Sequence, residues 1–114
     1  MAKIRLTPAR KRTLLLFLKH ELENRYSPSR REIQEHHNWS DKGDVVRHMR
    51  RLERLGLIRS MDTRYLVGDR RNQAKVLTPR GRFIALDLKK RAFERAKDRM
   101  ERNWDRIMAR TQSL

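Results

Sequence analysis

Four histidines, His20, His36, His37 and His48, are the side chains whose ordinary pKa suits proton transfer near neutrality. None forms a His-x-x-x-His pair or sits in a carboxylate cluster, so no metal site is expected. Cysteine is absent, which excludes disulfides, a thiolate nucleophile and cysteine-bound zinc or iron–sulfur centres. Ser27, Ser29, Ser40, Ser60 and Ser113 fall in caps and turns without a glycine-flanked elbow, and there is no glycine-rich phosphate loop. The chain is not expected to be an enzyme or to carry a cofactor. The residues that can do chemistry are arginines. Arg47, Arg50 and Arg54, with Gly43, fall opposite Val45, Met49 and Leu52 at helical spacing, and Asp44 and Arg51 flank them. Guanidinium groups on one helix face bind phosphate oxygens, or guanine edges bidentately, which is the chemistry of double-stranded DNA recognition.

The whole chain supports a polyanionic partner. It has 30 Lys and Arg against 14 Asp and Glu, a net charge of +16 in 114 residues. Residues 1–40, 41–78 and 79–114 carry +5, +5 and +6, so the excess is not a basic tail. It is spread over segments with regular apolar periodicity, as in a folded nucleic-acid binder. The apolar share is only 37%, below the usual 45–50%, so the core must be small. The longest apolar run, Leu14 to Leu18, is far short of a membrane span, and the first residues lack the apolar region of a secretory signal. A cytoplasmic, nucleoid-associated protein is expected, without membrane contact.

The elements that must position the arginines are marked by their caps. Thr7-Pro8 and Thr78-Pro79 each place a threonine cap before a proline at the first helical position, and Ser29-Arg30-Arg31-Glu32 is a capping box. A first helix is predicted from about Pro8 to Asn24, burying Leu14, Phe17, Leu18 and Leu22, with Tyr26-Ser27-Pro28 ending it. A short second helix follows to about His37. Ser40 or Asp41 caps a third, which carries the arginines and stops at Gly56. Leu57-Ile58-Arg59 reads as a short strand. Arg64–Val67 and Ala74–Leu77 read as a hairpin around a charged loop, Gly68 to Gln73. Pro79 to about Arg110 reads as one long helix.

That order predicts an α+β winged helix-turn-helix, three helices plus a β-hairpin wing, over residues 1–78, with a long C-terminal helix over 79–114. In that arrangement Asp44, Arg47 and Arg51 are candidates for base contact and Arg50 and Arg54 for phosphate contact. Ser29, Arg30 and Lys42 are further candidates for DNA contact, and Gly43 would permit close approach. His48, beside the core stripe, is expected to be packed and hydrogen-bonded, and Trp39 to close the core. Phe93, Ala96, Met100, Trp104 and Ile107 recur by threes and fours late in the C-terminal helix. This stripe is the expected homodimer contact, although it could instead fold back onto the first helix.

Two resemblances sharpen these expectations. Leu6-Thr7, Ser27-Pro28-Ser29-Arg30-Arg31-Glu32-Ile33, Val45, His48, Met49, Leu52 and Gly56-Leu57-Ile58 together resemble the DNA-binding domain of the LexA repressor over residues 6–58. Asp69-Arg70-Arg71, then Leu77-Thr78 and Gly81, is similar to the wing and following helix start of MarR-family regulators over residues 65–82. The second likeness implies that Asp69 orients the wing and Arg71 enters the minor groove. LexA's self-cleaving peptidase part has no counterpart in the sequence, and there is no Ala-Gly cleavage site, so release by self-cleavage is not expected. The N-terminal helices of MarR proteins also lack a counterpart. The reading is a transcriptional repressor, compatible with a phage or mobile-element origin. Two alternatives stay open at this level: a nucleoid-type or RNA-binding basic protein, and a winged helix that holds another protein such as RNA polymerase.

Overall fold

The computed structural model describes residues 5–25, 27–60 and 75–112. In chain order they form α1 (Pro8–Leu22), α2 (Arg30–His37), α3 (Lys42–Arg54), β1 (Ile58–Ser60), β2 (Lys75–Leu77) and α4 (Pro79–Gln112).

The caps are made as their residue types require. The Thr7 hydroxyl accepts from Arg10 N–H at 3.3 Å. Ser29 and Glu32 satisfy each other's backbone N–H groups at 3.1 and 3.3 Å, closing the capping box of α2. Of the two candidates before α3 it is Asp41 that caps, accepting from Gly43 N–H at 2.8 Å. Gly56 ends α3 with φ of 73°, while Leu57 N–H reaches back to Leu52 at 3.0 Å, the left-handed ending that glycine adopts without a Cβ penalty. Asn38 ends α2 in the same conformation, with φ of 55°.

Two predicted details change. Helix α1 ends at Leu22 rather than Asn24, because Asn24 itself turns left-handed (φ 54°) and lets Arg25 N–H bond to the His20 carbonyl at 2.9 Å. Leu22, expected in the core, is 54% exposed: at the last helical position it lines an open groove with Leu15, Leu18, Lys19 and Lys89. Thr13 and His20 are buried instead. Among the described residues β2 has β1 as its strand partner. It pairs antiparallel with β1, Ile58 opposite Leu77, Arg59 opposite Val76 and Ser60 opposite Lys75. Ile58 and Leu77 both face the core, and a slip of one residue would expose them, so their burial sets the register. The predicted strand Arg64–Val67 lies outside the described residues.

The core joins Leu14, Phe17 and Leu18 of α1 to Ile33 of α2, Val45, Met49 and Leu52 of α3, and Leu57, Ile58, Leu77 and Ala85. Helix α4 enters it through one close contact. Thr78 donates its hydroxyl to the Gly56 carbonyl at 2.6 Å and accepts from Gly81 N–H at 3.0 Å, which draws the first turn of α4 against the chain just after α3. A Cβ on Gly81 would lie 1.9 Å from the Leu57 carbonyl oxygen, so no other residue fits without displacing backbone. Arg82 then clamps Glu21 of α1 with its Nε 3.0 Å from both carboxylate oxygens, a pairing that raises the guanidinium pKa further. Past Leu88 the helix leaves the domain. The radius of gyration is 18.5 Å, against about 13 Å for a compact chain of this length, and the longest dimension is 65 Å.

Candidate nucleic-acid interface

Helix α3 is fixed from behind. Val45, Met49 and Leu52 are buried, which turns Arg47, Arg50, Arg51 and Arg54 outward, all four exposed. Arg47 forms an ion pair with Asp44 one turn earlier, so these two candidates for base contact are presented as a coupled donor and acceptor. Among the described residues Arg50, Arg51 and Arg54 have no carboxylate partner. Unpaired guanidinium groups side by side keep their donors for an external anion.

The other candidates are distributed unevenly. Arg30 and Lys42 are exposed, and both line a groove between α2 and α3 together with Gln34, Asn38, Trp39 and Val46. Ser29 is half-buried and its hydroxyl already serves the capping box. Gly43 has a local structural role beside any approach to DNA: a Cβ there would lie 3.3 Å from Asp41 Oδ1, crowding the carboxylate that caps α3. The structure therefore brings Arg30, Lys42, Gly43, Asp44, Arg47, Arg50, Arg51 and Arg54 onto α3 and the adjoining start of α2. Asp69, Arg70 and Arg71 lie outside the described residues.

A polar cluster that sequence reading only half anticipated braces this surface. The fully buried Thr13 hydroxyl contacts Ala9 O at 3.1 Å, His37 Nε2 at 2.7 Å and His48 Nε2 at 2.6 Å, joining all three helices of the domain. A carbonyl only accepts, so the assignment that satisfies all three contacts has the hydroxyl donating to Ala9 and accepting one N–H from each ring. That requires neither ring to be driven to the imidazolium form. Burial, then His37 and Arg10, lowers the His48 pKa to about 4; burial, then His36 and Arg12, lowers that of His37. Trp39 stacks on His37 with ring centres 4.2 Å apart and meets His48 edge-on at 5.1 Å. His48 is thus packed and hydrogen-bonded, and Trp39 closes the core, as their positions implied. Thr13 and His37 were missed. Their only signal was a hydroxyl inside the apolar face of α1.

Among the described residues no group of three or more histidine or acidic side chains is placed to hold a metal ion, and no helix is long and apolar enough to cross a membrane.

Comparison with known proteins returns one result for families. The model of the LexA DNA binding domain matches residues 4–65, which takes in α1, α2, α3 and β1. The likeness to MarR-family regulators over residues 65–82 is not reproduced. No curated protein and no solved structure matches the chain. The matched segment is more than half of the sequence and includes the capped helix pair, the arginine face and the glycine stop described above; this chain belongs to the LexA DNA binding domain family.

Proposed function

We propose that the protein is a sequence-specific regulator of transcription that binds double-stranded DNA and represses by occluding a promoter. The observation that carries this reading is the exposed arginine row of α3, in which Arg50, Arg51 and Arg54 have no carboxylate partner among the described residues, on a helix whose opposite side is locked into the core. Thirteen residues make a rod about 20 Å long, and a major groove about 12 Å wide admits such a helix. Asp44, Arg47 and Arg51 then reach base edges. Arg50 and Arg54, with Arg30, Lys42 and Ser29, hold phosphates and set the register, while Arg71, with Asp69 and Arg70 beside it and Asp69 orienting the wing, enters the flanking minor groove.

A homodimer joined through α4 completes the reading. Phe93, Met100, Trp104 and Ile107 are 69, 72, 62 and 54% exposed, and none is covered by the chain's own domain. The alternative expectation, a stripe folded back onto α1, is not what these exposures describe. Two copies joined through it would present two α3 helices to successive major-groove faces about 34 Å apart, and so read an inverted repeat.

Footprinting on the DNA around the gene, followed by gel-shift titration against excess random duplex, tests the function. Protection of a discrete site that survives the competitor supports it. Binding abolished by random duplex, or transferred to single-stranded or duplex RNA, leaves a charge-only nucleic-acid binder.

A further inference from the structure

Beyond the domain, α4 carries a second row of arginines. At 100° per residue, with Phe93 taken as the origin, Arg91, Arg95, Arg99, Arg102, Arg106 and Arg110 fall within one arc, roughly 160–260° round. They recur by threes and fours along about 28 Å of helix, and all are exposed. Between Arg91 and Arg110 the other residues in that arc are Ala92 and Ala109, so neither a carboxylate nor a bulky side chain interrupts it. Glu94, Asp98, Glu101 and Asp105 lie to one side, roughly 80–140° round. The lysines of the helix, Lys89, Lys90 and Lys97, lie within roughly 60° of Phe93, on the far side. Arg91 pairs with Asp87 at 3.0 Å, while among the described residues Arg95, Arg99, Arg102 and Arg106 enter no ion pair.

A helix face kept only in water has no need of this sorting. Charges of opposite sign three or four residues apart support a helix, whereas like charges at those spacings repel, and the arc consists of such like pairs. Phosphates lying along the arc relieve that repulsion. Lysine would serve solubility equally, yet the arc holds arginine, whose planar fork matches phosphate oxygens. Its placement suits the same partner. Gly81, Ile84, Ala85 and Leu88, through which α4 meets the domain, fall roughly 180–280° round, so the arginines continue the side of the helix on which the domain sits. Thr78 ties the start of α4 to Gly56, directly after α3. The row stands opposite Phe93, Met100 and Trp104, so contact along it does not involve that apolar stripe.

Resting on the reading of the protein as a binder of double-stranded DNA, we propose that the arginine row of α4 is a second phosphate-binding surface. It holds the duplex beside the winged domain and adds affinity without reading bases. The row offers one guanidinium about every 6 Å, against one phosphate about every 3.4 Å on each strand, so every arginine has an acceptor within reach.

Arg99→Gln, Arg102→Gln and Arg106→Gln together remove three charges from exposed positions while keeping a good helix former. Lys89→Gln, Lys90→Gln and Lys97→Gln remove the same charge from the far side of the helix. Affinity of the full chain for the footprinted site and for random duplex is measured by gel-shift titration from about 50 to 200 mM salt. The arginine variant should lower the slope of log K against log salt by about 2.7 on both duplexes and weaken binding at low salt at least tenfold, with the preference between them unchanged. The lysine variant should change the slope by less than about one, and lysine at the three arginine positions should restore most of it. Arg102→Gln alone should lower the slope by about 0.9, which reads the proposal even where the triple variant loses helix. An arginine variant with the parent slope, or a lysine variant that loses as much, overturns the α4 surface and leaves DNA binding standing. A loss confined to single-stranded or duplex RNA overturns the assignment to DNA. A parent protein that binds no duplex overturns the functional reading itself, and the role of α4 with it.

Discussion

Replacing Thr13 by valine removes one oxygen atom at the point where α1, α2 and α3 meet. The side chains have nearly the same volume and helix propensity, so the substitution leaves no cavity and changes little in α1 itself. What it takes away is the acceptor for two ring N–H groups, His37 Nε2 at 2.7 Å and His48 Nε2 at 2.6 Å. Ala9 O keeps its helical partner and loses only the additional hydroxyl contact. A buried donor left without a partner costs about 1–3 kcal/mol, and because both rings are only half-buried the lower part of that range applies, about 2–3 kcal/mol for the pair. A chain of this size has total stability of roughly 6–17 kcal/mol, so the loss is a large share. It should lower Tm by roughly 6–15 °C in thermal unfolding followed by circular dichroism at neutral pH. Thr13→Ser keeps the oxygen and should recover most of the difference. A valine variant within about 0.5 kcal/mol of the parent, or a serine variant as unstable as valine, would refute the three-way hydrogen bond.

The same cluster predicts a pH dependence. The folded-state pKa of His48, about 4, lies below its ordinary 6.5, so between these values the unfolded chain binds the extra proton. Stability should be flat above pH 6.5 and fall by about 1–2 kcal/mol toward pH 4, a figure reduced for the ring's partial exposure; urea midpoints at a series of pH values that show no change between 6.5 and 4.5 would contradict it. Gly81→Ala places a Cβ 1.9 Å from the Leu57 carbonyl oxygen and should cost about 3 kcal/mol, measured by urea unfolding. Unchanged stability would mean that α4 starts elsewhere. On the DNA side, Arg51→Ala should cost about 1–3 kcal/mol on the specific site and much less on random duplex, in gel-shift titration. Arg54→Ala should weaken both equally and lower the slope of log K against log salt by about one. Reversed behaviour of the two variants would exchange their roles.

What could be read from the sequence is what neighbours in the chain decide. A threonine before a proline, a serine three residues before a glutamate and a glycine after an apolar stripe each act on backbone groups within one helical turn, so Thr7, Ser29, Gly56 and Thr78 predicted their own structural roles. The outward turn of the arginines was legible for the same reason, because helical periodicity fixes which side chains oppose Val45, Met49 and Leu52. The tertiary structure decided everything that depends on two distant segments sharing space. Leu22 had the right spacing for the core, yet it ends on an open groove beside Lys89 and stays half exposed. Lys75–Leu77 was legible as a strand, but its pairing with Ile58–Ser60 follows from the burial of Ile58 opposite Leu77. Thr13 was an ordinary hydroxyl until α2 and α3 brought a histidine to each side of it, and Gly81 an ordinary helix-start residue until the Leu57 carbonyl occupied the space of its missing side chain. Periodicity likewise wrote the apolar stripe of α4, but only packing showed that the chain leaves it bare. The domain's own core is already closed by Ala85, and a straight helix about 50 Å long carries the stripe beyond its reach.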